Sequence, residues 1–220
     1  NGQIATNVVL GKAIALVDHA AITSGGDVEV SATNDARVDA RLYSSAVSAA
    51  TAYGITLAFN SVGVQGQNFL FNTADALVGT DLVSTLSGAA PLSASAKIDA
   101  TDITASGALT VEAHATQVID AQISNYVQTI RAGFDGGNAI SVGLVVALNR
   151  MNAIASATIV DSATIHVTGA VTVDADNSAT ITSIVVQPVI SLALNLGNGQ
   201  AKGISVSLVV SRNVVDADIT

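Results

Sequence analysis

Four aspartates recur in matching surroundings, at Asp18 to Ile22, Asp99 to Ile103, Asp161 to Ile165 and Asp216 to Ile219. Stacked repeats would bring such carboxylates side by side, and their repulsion would favour a hard cation such as Ca2+. The competing reading is that each aspartate accepts backbone N–H groups in a turn. That reading is preferred, because the chain holds no Gly-Gly-x-Gly-x-Asp nonapeptide of the calcium-binding β-roll type. Two tighter acidic pairs exist, Asp99 with Asp102 and Asp174 with Asp176. Cleavage of a polysaccharide would need two or three carboxylates, or a Lys or Arg base, converging in a cleft with aromatic subsites. Both pairs occupy framework positions of a repeat, and no Trp is present to stack on a sugar.

His19, His114 and His166 are far apart, and neither a His-x-x-x-His spacing nor any Cys exists to build a zinc site. There is likewise no Gly-x-Ser-x-Gly, no phosphate loop and no thiol nucleophile. Gly136-Gly137 and Gly197-Asn198-Gly199 lack the Lys-Ser/Thr that a phosphate cradle requires, so they read as turns. The expectation is a non-enzyme that needs no cofactor, with Ca2+ at the recurring aspartates the one metal considered.

The scaffold that would position these residues is legible in composition and repetition. At 220 residues, 50% hydrophobic and 11% charged, the chain can bury a sizeable core, which argues against disorder. Its apolar residues alternate with Ser, Thr, Asn and Asp even in the richest stretch, Ile181 to Leu196, so no transmembrane helix and no membrane insertion are expected. Eight basic against 17 acidic residues give a net charge of −9, which repels nucleic acid and anionic lipid.

The clearest repeat pairs Ile140-Ser-Val-Gly-Leu-Val-Val-Ala-Leu-Asn149 with Ile204-Ser-Val-Ser-Leu-Val-Val-Ser-Arg-Asn213, 204 − 140 = 64 residues later. A second begins at Gly26, Gly107 and Gly169, spaced 107 − 26 = 81 and 169 − 107 = 62. About three units result, near 18–95, 99–157 and 161–213, in one repeat-built β domain. Asn1-Gly2-Gln3 and Asn198-Gly199-Gln200 stand at the same phase of the pattern. This suggests an excerpt of a longer array or a subunit that joins head to tail.

Within each unit the apolar period is two, as in Val28, Val30 and Ala32, and β-branched residues dominate. Both features specify half-buried strands. The expected fold is all-β: a repeat-built β-solenoid, parallel β-helix-like, with long strands and Gly-rich turns. The alternative is a sandwich of long antiparallel hairpins folding at the glycine turns. Ile140, Val142 and Leu144, matched by Ile204, Val206 and Leu208, are expected to face the core, with Ser141 outward. Pro188 interrupts an alternating run and points to a bulge or an edge.

The first unit is longer by 81 − 62 = 19 residues. The surplus falls at 68–92, where Ala74, Leu77, Val78, Leu82 and Leu86 have helical spacing between Thr73 and Gly88. This segment is expected to decorate the stack. Phe69 and Phe71 within it are the candidate binding residues, since an exposed aromatic pair would suit a glycan or protein ligand.

The strings at 99–113, Asp-Ala-Thr-Asp-Ile-Thr-Ala-Ser-Gly-Ala-Leu-Thr-Val-Glu-Ala, and Ile-Ser-Val-x-Leu-Val-Val at 140 and 204 resemble the repeat arrays of giant bacterial secreted and surface proteins. They resemble in particular the filamentous haemagglutinin-like and leukotoxin-type filamentous adhesins. The resemblance implies an extracellular or cell-surface location in a bacterium. It implies a structural segment of a fibre, stalk or adhesin, whose partners are neighbouring repeats or identical subunits. The alternatives are a module binding surface glycan or protein through a groove or the 68–92 insertion, and, less favoured, a polysaccharide-cleaving β-helix enzyme. No catalytic residue is carried over.

Overall fold

The computed structural model describes residues 1–64, 91–134, 137–161 and 164–219. Thirteen strands run along the chain: β1 (Gly2–Val9), β2 (Lys12–Asp18), β3 (Ala21–Ser24), β4 (Val28–Ser48), β5 (Thr51–Val62), β6 (Leu92–Asp99), β7 (Asp102–Ala105), β8 (Leu109–Gly133), β9 (Gly137–Val160), β10 (Ile165–Val167), β11 (Val171–Val186), β12 (Val189–Asn195) and β13 (Ala201–Ile219). The fold is all-β, and no helix occurs among the described residues. The long parallel sheet is strongly curled.

Three sheets form. Sheet A has the order β1-β5-β9-β6-β2, with β13 also pairing β9; sheet B is β10-β7-β3; sheet C is β11-β8-β12, with β4 also pairing β8. The chain visits A, B and C in that order three times and then returns to A at β13. Each visit pairs parallel with the previous one. Sequence repeats and strand register coincide, since Ile204 pairs Ile140 and Val28 and Val171 both pair Leu109.

Parallel pairing throughout rules out the sandwich of antiparallel hairpins. β8 and β9 are consecutive but lie in different sheets, as do β12 and β13. The glycine-rich turns between them therefore move the chain from one sheet to another rather than reverse it within one. Pro188 separates β11 from β12, where its missing N–H costs no ladder bond, and its carbonyl accepts from the Val127 N–H at 3.0 Å.

The change from sheet A to sheet B is made at His19 (φ 46°), Ala100 (φ 43°) and Asp161 (φ 50°), each in the left-handed region. Such a conformation costs a non-glycine residue about 1–2 kcal/mol, and here bonds between layers hold it. His19 N–H donates to the Asp99 carbonyl and Ala100 N–H to the Val160 carbonyl, both at 3.1 Å. The change from B to C stacks the repeated glycines directly, Gly107 N–H on Gly26 O at 3.1 Å and Gly169 N–H on Gly107 O at 2.9 Å. A Cβ on Gly107 would lie 2.7 Å from backbone atoms of the layer before. Only glycine fits there.

The interior is made mostly of small side chains. Ala94, Ala96, Ala113, Ala115, Ala155 and Ala157 are buried with Ile98, Ile103, Leu109 and Val111 in the largest cluster. Fully burying each of those larger aliphatics contributes roughly 1.5–3 kcal/mol. Leu92 is also buried and opens β6, so it belongs to the framework rather than to the 68–92 insertion. The helix expected at Ala74 to Leu86 lies outside the described residues.

One expectation is reversed. Ser141 is 0% exposed, and Ala139 and Val145 are buried with it, whereas Ile140, Val142 and Leu144 are only half-buried. The core face of β9 thus carries the odd-numbered residues, and the Ile-Ser-Val aliphatics point outward. The cause is the close approach of sheets A and C. Ser141 Oγ donates to Thr129 Oγ1 and is also within 2.8 Å of the Ile190 carbonyl, and a Cβ on Gly143 would come within 2.2 Å of Gln187 Nε2. At Ser141 and Gly143 a bulky aliphatic has no room, whereas further along the same side Val145 and Met151 are buried.

Candidate functional site

The recurring aspartates are brought together in part. Asp18 pairs directly with Asp99 where sheet A ends, but Asp99 pairs Val160 on its other side. Asp161 therefore falls one position later, in the left-handed corner with His19 and Ala100. Asp216 pairs Asn152, eight positions before Val160 along β9, and takes no part in the corner. Two of the carboxylates that meet there have partners within the chain. Lys97 Nζ forms an ion pair with Asp99, and His19 Nδ1 lies 2.6 Å from Asp18 Oδ1. The Lys97 ammonium is held above its ordinary range first by the hydrogen bond to Asp99, then by the charges of Asp99, Asp18 and Asp161, against the opposing effect of burial. Among the described residues no group of three or more His, Asp or Glu side chains is placed to hold a metal ion.

The other candidates are dispersed over exposed strand surface. Asp102 is exposed at the start of β7. Asp174 and Asp176 are exposed on β11, in register with Glu112 and His114 of β8, and His114 Nε2 lies 3.6 Å from Glu112 Oε2. His166 is exposed on β10. Phe69 and Phe71 lie outside the described residues. A cleft of ≈ 210 Å³ opens between sheets A and C at the β1 end, lined by Ala5, Asn7, Asp39, Arg41, Leu42 and Asn60 among others. It falls below the roughly 300 Å³ at which small-molecule sites begin. Its one carboxylate, Asp39, is bonded by Arg37 Nε and Nη2, both at 2.8 Å. That pairing holds Asp39 below the usual carboxylate range, against a smaller opposing effect of burial.

What the fold does assemble is a column of amides. Asn7 Nδ2 donates to Asn60 Oδ1, Asn60 Nδ2 to Asn149 Oδ1, and Asn149 Nδ2 to Asn213 Oδ1, each at 2.8 Å. The column crosses every layer of sheet A, and Asn60 and Asn149 are buried. Side chains are 4.7–4.9 Å apart between paired strands, a spacing at which one carboxamide donates to the next, so the ladder satisfies its own buried groups. Other amides bind sheet C to sheet A. Asn34 Nδ2 donates to the Ser93 carbonyl at 2.9 Å, and Asn177 Nδ2 to the carbonyls of Ala153 and Asp218 at 2.9 and 3.0 Å. Asn125 sits opposite Gly54, where a Cβ would come within 2.7 Å of its Oδ1. Gln187 faces Gly143 at similarly close range, but its Nε2 and Oε1 are buried without a hydrogen-bond partner, so it packs against sheet A rather than bonding to it.

The chemistry of these groups is cohesion between layers and between sheets. The ladder's signal was present in the sequence, because Asn149 and Asn213 both end the 64-residue repeat. Asn7 and Asn60 stand outside that string, and only strand register joins them to it. Compared with known proteins, the chain matches no family model, no curated protein and no solved structure.

Proposed function

We propose that this chain is a structural segment of an extracellular bacterial fibre, stalk or adhesin, built as a β-solenoid whose coils stack through parallel pairing. The observation that carries the reading is the unbroken Asn7–Asn60–Asn149–Asn213 column, in step with the backbone ladders of sheet A. Both kinds of hydrogen bond run along the stacking axis. Tension along that axis loads all the bonds of a layer at once, and layers such as β8 and β9 are 25 and 24 residues wide. The resemblance to filamentous surface proteins supplies the bacterial surface as the location. The side chains placed by the fold serve cohesion, which supports a structural role over catalysis.

The test is electron microscopy of the native assembly, with antibodies to this chain and protease shaving of intact cells. Labelled continuous fibres, removed by shaving and with an axial period of about 4.8 Å, are expected. Labelled compact particles inside the cell would overturn the reading.

A further inference from the structure

An Asn-Gly pair can close on itself, because the nitrogen that follows the asparagine can reach the side-chain Cγ and glycine has no Cβ to hinder the approach. The pair occurs at Asn1-Gly2 and again at Asn198-Gly199, and the fold holds the two differently. Asn198 lies in the turn 196–200, whose residues are all exposed. This turn is anchored at its ends and not at its middle. Leu196 N–H donates to the Gly133 carbonyl at 2.9 Å, and the Gln200 carbonyl accepts from the Gly137 N–H at 3.0 Å. The Asn195 side chain spans the turn, its Oδ1 accepting from the Gly197 N–H at 2.9 Å and its Nδ2 donating to the Gly199 carbonyl. Among the described residues neither the Asn198 carboxamide nor the Gly199 N–H has a hydrogen-bond partner.

Asn1-Gly2 is restrained on both sides. Gly2 opens β1 in register with Ile55. Asn1 Nδ2 donates to the Ser45 carbonyl of sheet C at 2.6 Å, and the Asn1 carbonyl accepts from the Ile55 N–H of β5 at 2.9 Å. The Cγ cannot swing onto the following nitrogen without breaking these bonds. The asparagines of the column, with Asn34, Asn125 and Asn177, spend their carboxamides on the bonds described above, and none of them precedes a glycine.

We infer that Asn198 is a site of spontaneous deamidation, at which the chain modifies its own turn. The Gly199 nitrogen gives its proton to solvent base and bonds to Asn198 Cγ. The Cγ–Nδ2 bond breaks, Nδ2 takes a proton from water and leaves as ammonia, and a succinimide ring remains. Water then opens the ring. Cleavage of the bond from nitrogen to Cγ gives aspartate, and cleavage of the bond from nitrogen to the main-chain carbonyl carbon gives isoaspartate. The sum is an amide and water converted to an acid and ammonia, with no change of oxidation state. Either product places a carboxylate in the turn, and isoaspartate also lengthens the main-chain path by a methylene. That added length falls between the anchors at Leu196 and Gln200, so β13 keeps its register from Ala201 on Gly137.

The 220-residue chain, incubated in warm buffer at neutral and at mildly alkaline pH and mapped by fragmentation mass spectrometry, tests this. The expected result is an amide-to-acid mass gain at Asn198, faster at the higher pH because attack needs the deprotonated nitrogen. The peptide should split into aspartyl and isoaspartyl forms, while Asn1 keeps its amide and circular dichroism stays unchanged. In urea, where Ser45 and β5 no longer hold it, Asn1 should convert as well. Gly199→Ala should slow conversion at Asn198 at least about tenfold, a change of about 1.4 kcal/mol in the barrier. If that variant disturbs the fold, the contrast between Asn1 and Asn198 in the folded wild type decides in its place. An Asn198 that keeps its amide, equal conversion of Asn1 and Asn198 in the folded chain, or a folded Gly199→Ala that converts as fast as the wild type would overturn the inference.

Discussion

Replacing Asn149 by Ala cuts the amide column at its centre, and its cost can be set against the same replacement at the column's end. Asn149 accepts from Asn60 and donates to Asn213. Its loss removes two hydrogen bonds, worth about 1 kcal/mol each, and leaves the buried Asn60 amide without an acceptor, for about 1–3 kcal/mol more. The expected loss is therefore roughly 3–5 kcal/mol. Asn213→Ala removes one bond on an exposed outer strand, where water replaces the partner, and should cost about 1 kcal/mol or less. In a chain of this size 1 kcal/mol corresponds to about 2–4 °C in Tm. Thermal melts of the two variants should thus differ by several degrees, with Asn149→Ala the lower. Equal losses, or a loss below about 1 kcal/mol at Asn149, would mean that the column contributes no cohesion.

Exchanging the faces of β9 gives a second contrast. Ser141→Asp buries a carboxylate between the sheets and should cost at least about 3 kcal/mol, whereas Val142→Asp, on the outward face, should cost about 1.5 kcal/mol or less; urea unfolding reads both, and the reverse order would put the core on the other side of the strand. Gly143→Ala drives a Cβ into Gln187 and should cost about 1–3 kcal/mol by overpacking. Gln187→Ala should restore most of that loss in a double-mutant melt, and no restoration would show that the clash lies elsewhere. Two charge pairs, one exposed and one half-buried, have opposite pH signatures. Asp39, depressed by Arg37, adds stability above its unfolded pKa that is lost as pH falls through its lower folded value. Lys97, raised by Asp99, adds stability fully present below its unfolded pKa and lost as pH rises through its higher folded value. Melts across pH should show Arg37→Met flattening only the acid limb and Lys97→Met only the alkaline limb, both by small amounts; a change on the wrong limb would contradict these pairings.

Strand identity and the glycine turns were legible in the sequence because each is a local or repeated signal, whereas the 62-residue repeat left open whether a unit is one layer, as the register shows, or two or three coils. Period-two alternation gave strands, and Gly26, Gly107 and Gly169 lie stacked as their spacing implied. Which side of β9 faced inward was not legible, since hydrophobicity alone favoured Ile140, Val142 and Leu144. The deciding quantity was the local distance between sheets, which at positions 141 and 143 admits only Ser and Gly and further along the same side admits Val145. The aspartate pattern misled for a related reason. Asp161 to Ile165 copies the spacing of Asp99 to Ile103, yet Ile165 pairs Ile103 while Asp99 pairs Val160. One extra residue in the third corner moves Asp161 out of the column.

Parallel, in-register layering is the central claim, and cysteine pairing measures it directly, because the chain contains no cysteine of its own. Val47 on β4 pairs Gln128 on β8 on the outward face of sheet C, and Tyr43 pairs Ser124. Paired strands lie about 4.8 Å apart, within the Cα separations a disulfide accepts, whereas four residues along a strand add roughly 13 Å. Under mild oxidation, Val47→Cys with Gln128→Cys should crosslink rapidly within one chain, as should Tyr43→Cys with Ser124→Cys. The crossed combinations, Val47→Cys with Ser124→Cys and Tyr43→Cys with Gln128→Cys, should not. Rapid crosslinking of the crossed pairs with none in the matched pairs would mean that the two strands run antiparallel, and the layered account would be wrong.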